Sequence, residues 1–268
     1  MSDPRERRIL VNGHACRVLE KGAGEKVGYL AGLVGLPRWT PFLDELAKTR
    51  HVIVPSLPGF PGATGHEDLD HLLDWLAASL DLLDGAGLTG EDLVGSSVGA
   101  MLAAEIAALS PGSVKRLVLM APLGLYDEAA PVPHLWAKRS GELNGELCLD
   151  QPALEALLAA PDEADPVDWN VQTSRTSAAG ARLLWPMCDL GLAKRLHRIR
   201  QSTLILWGEN DAILSARPYG ELFAKGVAGP ARIETIAAAG HLIDLDQPVA
   251  AAAAVERFLH DQRVLQPA

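Results

Sequence analysis

An α/β fold, with a mostly parallel sheet of about eight strands, helices on both faces and an inserted helical cap, is predicted by three observations. Two β-rich pieces joined by Asn-Gly open the chain, and short apolar runs then alternate with helix-length segments. Between Leu123 and Leu196 that rhythm breaks, and it resumes at Thr203.

The opening pieces, Arg8 to Val11 and His14 to Leu19, flank Asn12-Gly13, a pair that favours the positive φ of a tight hairpin turn. Val27 to Ala31 reads as a buried parallel strand leading into Gly32-Leu33-Val34-Gly35. Trp39, Phe42, Leu43 and Leu46 have helical spacing, which predicts a helix over Pro37 to Lys48, and His51 to Pro55 is the next buried strand. The turn-forming stretch Ser56 to Gly62 precedes a helix expected from Leu69 to Leu83, with Leu72, Leu73, Leu76, Leu80 and Leu83 along one face. Asp92-Leu93-Val94 and Val114 to Met120 are further strands, separated by an alanine-rich helical run.

The segment from Leu123 to Leu196 has helical pieces at Pro152 to Ala160 and Gly191 to Leu196, no strand pattern, and the tryptophans Trp136, Trp169 and Trp185. Large aromatic side chains need a core or a ligand to cover them. The segment is therefore expected to be a lid over the carboxyl ends of the strands, where open α/β sheets bind ligands. Strands resume at Thr203 to Trp207 and Arg232 to Ile236, with a helix around Tyr219 to Lys225 between them and a last helix over Pro248 to His260. The expected division is a core of residues 1–122 and 197–268 and a cap of residues 123–196.

Gly95-Ser96-Ser97-Val98-Gly99 sits between a strand and a helix, the setting of a nucleophile elbow. A serine at the apex of so tight a turn is held in a strained conformation. The residues two before and two after must lack side chains, because strand and helix nearly touch there. The following helix puts its N–H groups and positive end beside the serine oxygen, so the Val98 N–H is one donor for an oxyanion. Twenty-five glycines and 12 serines give about 0.1 chance matches to this spacing. The competing reading is a glycine-rich helix start with an N-cap serine.

A serine hydroxyl needs a base to take its proton. Seven histidines (His14, His51, His66, His71, His134, His197 and His260) lack a local signature, whereas His241 follows Gly240 in the loop after the last strand. Asp211, in the loop ending the preceding strand, is the candidate carboxylate, and the order Ser97, Asp211, His241 fits this arrangement. Glu209 is its nearest rival, and Asp244 and Asp246 read as solvated carboxylates near the start of the final helix. The second oxyanion donor is expected from the Leu33 N–H, aimed by the turn at Gly32, with Val34 as the alternative.

Ala31-Gly32, Pro58-Gly59-Phe60, Gly95 to Gly99, Trp207 to Asp211 and Gly240-His241, spread over Arg8 to Phe258, together resemble the α/β-hydrolase superfamily, in the variety with a helical cap. The resemblance implies a serine hydrolase of small carboxylic esters, thioesters or lactones. It carries the catalytic roles onto Ser97, Asp211 and His241. Relatives that cleave carbon–carbon bonds in ring-fission products use the same triad with a cap arginine, for which Arg175 and Arg182 are the candidates. They commonly have Trp after the histidine, where this chain has Leu242. A non-catalytic ligand-binding member of the fold is the third reading. Two further departures are Ala31 in place of the usual His before Gly32, and Ser56-Leu57-Pro58-Gly59 in place of Asp-x-Pro-Gly. A serine at the elbow argues against a likeness to haloalkane dehalogenases and epoxide hydrolases, whose ester forms on a carboxylate.

With 268 residues and 48% hydrophobic composition the chain can bury one large core. Its net charge of −10 argues against nucleic acid or an anionic membrane as partner. A small-molecule substrate is the expected partner, a homodimer is compatible with the sequence, and no metal or organic cofactor is expected. The polar start and the lack of an 18-residue apolar run give a cytoplasmic expectation. Cys16, Cys148 and Cys188 suggest neither disulfides nor a zinc site and read as small buried hydrophobes.

Overall fold

The structure is a computed structural model that describes residues 3–138, 140–161, 164–186 and 189–261. Its strands are β1 (Arg5–Val11), β2 (His14–Lys21), β3 (Lys26–Leu30), β4 (His51–Pro55), β5 (Glu91–Ser96), β6 (Val114–Met120), β7 (Thr203–Gly208) and β8 (Ala231–Ile236). They form one sheet in the order β1-β2-β4-β3-β5-β6-β7-β8. β2 is antiparallel to both neighbours, and every pairing from β4 to β8 is parallel. The hairpin turns through Asn12 (φ 51°) and Gly13 (φ 81°), as its sequence requires.

The central parallel strands β5, β6 and β7 are buried along most of their length because both faces are covered, whereas the edge strand β8 is largely exposed. Leu93, Leu117, Leu119, Ile205 and Trp207 point into one core, while Val94, Val118, Met120, Leu204 and Leu206 alternate into the other. The first core is closed by α2 (Leu72–Ala86) and α3 (Val98–Leu109) after α1 (Pro41–Leu46), which lies on the opposite face. Every residue of α3 from Val98 to Ala108 is buried, which is why the helix is built mostly from alanine. Residues 123–199 contribute α4 (Ser140–Leu147), α5 (Gln151–Leu158) and α6 (Pro166–Leu183), with no strand among the described residues. After β7 come α7 (Glu221–Gly226), α8 (Ile243–Asp246) and α9 (Pro248–His260), the last packed beside α1 over the second core.

Several elements differ from the sequence expectation. Thr40 is extended (φ −112°, ψ 159°) because it precedes Pro41, so the helix expected over Pro37 to Lys48 shrinks to α1. α2 starts at Leu72 rather than Leu69, since the Asp74 carboxylate accepts the His71 N–H at 2.8 Å, and it ends at Gly87 (φ 72°). Its buried face is Trp75, Leu76, Ser79, Leu82 and Leu83, and Leu73 is 71% exposed. The helix expected over Gly191 to Leu196 is two tight turns, Leu192–Lys194 and Leu196–Arg198.

Glu105 on α3 is fully buried and binds Arg195 through both oxygens, at 2.7 and 2.5 Å, which ties residue 195 to the helix that follows Ser97. Cys16 and Cys148 are buried free thiols, and burial pushes the Cys16 thiol up to about 11. Cys188 lies outside the described residues. No helix among the described residues is long and apolar enough to cross a membrane. Replacing Glu105 by Ala should lower unfolding free energy by about 3 kcal/mol, since removing one partner of a buried pair strands the other. Urea denaturation checks this, and a loss under about 1 kcal/mol would show that the pair is dispensable.

Candidate active site

Ser97 stands at the end of β5 and one residue before α3, with φ 54° and ψ −115°. A non-glycine residue at such angles carries about 1–3 kcal/mol of strain, which the surrounding packing must hold in place. Its N–H donates to Met120 O at 2.8 Å, and Met101 N–H donates back to Ser97 O at 3.1 Å. A Cβ added at Gly95 would lie 2.6 Å from Ala100 Cα, and one at Gly99 would lie 2.6 Å from Ala31 O. Both contacts are with backbone, so the two glycines are fixed by the crossing of strand and helix rather than by flexibility.

The other two side chains come from the loops after β7 and β8. Glu209 N–H donates to Ile236 O at 2.9 Å and Asn210 N–H to Ala239 O at 2.8 Å, so the two loops are joined by backbone bonds. Asp211 Oδ1 accepts the N–H groups of Ile213 and Leu214 at 2.8 and 2.9 Å, which leaves Oδ2 to meet His241 Nδ1 at 2.9 Å. His241 Nε2 lies 2.8 Å from Ser97 Oγ. In the tautomer that carries its proton on Nδ1, the ring donates to Asp211 and turns the Nε2 lone pair to the serine O–H. Ser97 and His241 are fully buried, whereas Glu209 is exposed and takes no part.

Gly32 brings the loop after β3 over the serine, since a Cβ there would lie 3.3 Å from Ser97 Cβ. Among the described residues, neither Leu33 nor Val98 has an intramolecular acceptor for its N–H. Arg17 on β2 donates to Leu36 O, to Pro37 O at 3.2 Å and to Pro61 O at 3.1 Å, and so braces this loop where the sequence has Ala31 in place of His.

Leu33 also lines an apolar cavity of about 190 Å³ under α4, α5 and α6. Trp136 and Trp169 form part of its wall, and their indole N–H groups are already satisfied by Ser177 Oγ and Leu158 O, both at 3.2 Å. Trp185 is 71% exposed and outside the cavity. Arg175 and Arg182, seven residues apart on α6, share a face turned away from it. Arg175 donates to Gln172 Oε1 at 3.4 Å, and Arg182 donates to Leu69 O at 2.8 Å and Glu67 O at 3.1 Å and pairs with Asp70.

Asp244 and Asp246 are buried rather than solvated, and sequence reasoning missed both. Asp244 accepts from Tyr29 OH at 2.7 Å and Ser96 Oγ at 3.3 Å, and burial holds its carboxyl above the usual carboxylate range. Asp246 accepts from Gly240 N at 2.7 Å. The available signal was their alternation with Ile243 and Leu245 in an apolar run: acidic residues there are buried, and buried carboxylates are paired.

A family model described as "Alpha/beta hydrolase family" matches residues 30–255, and the chain belongs to that family. The chain is similar to a 2-hydroxy-6-oxo-2,4-heptadienoate hydrolase of Pseudomonas putida, 25% identical over 254 residues that cover 90% of this chain and 91% of the relative. The fold matches that of a 2-hydroxy-6-oxo-6-phenylhexa-2,4-dienoate hydrolase from Rhodococcus sp. strain RHA1, with TM-score 0.78, 19% identity and 97% and 99% of the two chains covered. It also matches naproxen esterase from Bacillus subtilis, with TM-score 0.72, 17% identity and 96% and 92% covered.

Gly99→Ala should cost about 2–3 kcal/mol, because the added methyl meets backbone that cannot rotate away. A denaturant midpoint indistinguishable from the parent would contradict that close crossing.

Proposed function

We propose that the chain is a serine hydrolase that cleaves a small carboxylic ester, thioester or lactone through an acyl-enzyme on Ser97. The observation that carries this reading is the continuous hydrogen-bonded run Ser97 Oγ, His241 Nε2, His241 Nδ1, Asp211 Oδ2. His241 takes the Ser97 proton as Oγ bonds to the carbonyl carbon, and the oxyanion is held by the N–H groups of Leu33 and Val98. Collapse of the tetrahedral intermediate breaks the bond to the leaving group, which leaves with the proton from His241. Water, deprotonated by the same imidazole, then attacks the acyl carbon and releases the acid and Ser97. Asp211 holds the tautomer and stabilises the imidazolium. No metal or organic cofactor is needed for these steps.

The cavity supports an uncharged substrate. It touches the loop that carries the Leu33 N–H, and its lining is apolar or neutral, with no ionisable side chain among the described residues. Burying an unpaired carboxylate there would cost several kcal/mol. Residues 123–196 serve in this reading as the cap that supplies the cavity and excludes water.

A second reading is hydrolysis of a carbon–carbon bond in a diketone-like ring-fission product. It is favoured by the likeness to the Pseudomonas putida relative over nine-tenths of both chains. The same residues would serve, but the acidic end of such a substrate would need a cation that Arg175 and Arg182 do not offer the cavity.

Ser97→Ala should abolish turnover of a short p-nitrophenyl ester while leaving the circular dichroism spectrum unchanged, and undiminished turnover would remove the assignment. Asp211→Asn should lower kcat by about 10³- to 10⁴-fold through the wrong imidazole tautomer. In a panel of neutral esters and dienoate-type diketones, kcat/KM should favour the esters, and a preference for the diketones would move the chain to the second reading.

A further inference from the structure

Asp246, the last residue of α8, is buried with both carboxylate oxygens engaged. Oδ2 accepts the Gly240 N–H at 2.7 Å, directly before His241. Oδ1 accepts the N–H groups of Leu149 and Asp150, both at 2.8 Å, and the Cys148 thiol at 2.9 Å. On the other side of His241, Leu242 N–H donates to Leu147 O at 2.8 Å. Both chain neighbours of the imidazole are therefore tied to the 147–150 turn between α4 and α5, one through Asp246 and one directly.

Bonds to an ionised acceptor are roughly twice as strong as neutral ones, and a buried carboxylate that loses its donors is costly. Ser97 is fully buried, and Leu147, at the start of the 147–150 turn, lines the apolar cavity that Leu33 also lines. If the 147–150 turn lifts, Asp246 loses three of its four donors and Leu242 loses its acceptor.

We propose that Asp246 is a positioning residue that makes the alignment of His241 depend on the seating of the 147–150 turn. The relay is complete when the turn is down and slack when it is up, so proton transfer is confined to the closed, dry state. This rests on the reading of Ser97, His241 and Asp211 as the reacting groups. Asp246 itself touches no reacting atom.

Two measurements test it. In Asp246→Asn the amide NH2 must face one of the N–H donors, leaving buried donors unpaired on the Gly240 side or the turn side. For a p-nitrophenyl ester, kcat should fall about 10²-fold, the scale of a misplacement of about 1 Å, with KM changed less than threefold. A merely structural residue would move the thermal midpoint and leave kcat of the folded enzyme alone. In the wild-type protein, hydrogen exchange by NMR should show the amides of Gly240, Leu149 and Asp150 opening at one common rate. Turnover by folded Asp246→Asn within twofold of wild type overturns the proposal, and so does a Gly240 amide that opens independently of the other two. If the variant does not fold, the wild-type exchange rates decide. If the wild type hydrolyses no ester, the reading of Ser97 fails, while the common opening rate still stands or falls by itself.

Discussion

The backbone at Ser97 constrains everything around it. Its angles, φ 54° and ψ −115°, exist only because β5, α3 and the loop after β3 are packed so closely that glycine is required at 95 and 99. α3 holds that geometry through its length, with all residues from Val98 to Ala108 buried and Glu105 paired to Arg195. The core on both faces of the sheet thus offsets a local strain whose result is one hydroxyl aimed at one imidazole.

Three carboxylates lie in or near the loops that carry the imidazole, and their donors separate their roles. Asp211 receives two backbone N–H groups on one oxygen and His241 on the other, which makes it an oriented partner of the ring. Asp244 has hydroxyl donors, Tyr29 and Ser96, and its burial raises the carboxyl above the usual carboxylate range. Asp246 receives three backbone N–H groups and a thiol, which join the Gly240 backbone to the 148–150 segment. Residue type alone is the same in all three, so the environment assigns the work.

This difference explains what was legible in the sequence. The positions governed by local rules could be read: the Asn12-Gly13 turn, the paired glycines around Ser97, and the loops after β7 and β8 that carry Asp211 and His241. Features decided by tertiary contact could not. The polar α6 has little apolar periodicity, and its inward face became visible only once Leu33 and Trp136 were seen against it. Arg175 and Arg182 suggested a carboxylate site, yet Arg182 is taken up by the carbonyls of Glu67 and Leu69. Asp244 and Asp246 look like solvated loop residues until donors as distant in sequence as Tyr29 and Leu149 are brought beside them. Arg17, which braces the loop over Ser97 from β2, has no sequence signature at all.

An activated alcohol differs from an ordinary buried one in its reactivity toward phosphorus electrophiles, because only a hydroxyl with an aligned base attacks them at neutral pH. Mass spectrometry of the wild-type protein after exposure to a small fluorophosphonate tests the arrangement most directly. One adduct per chain, located on Ser97 and lost when His241 is replaced, is the expected result. An unmodified Ser97, or an adduct formed just as fast without His241, would contradict it.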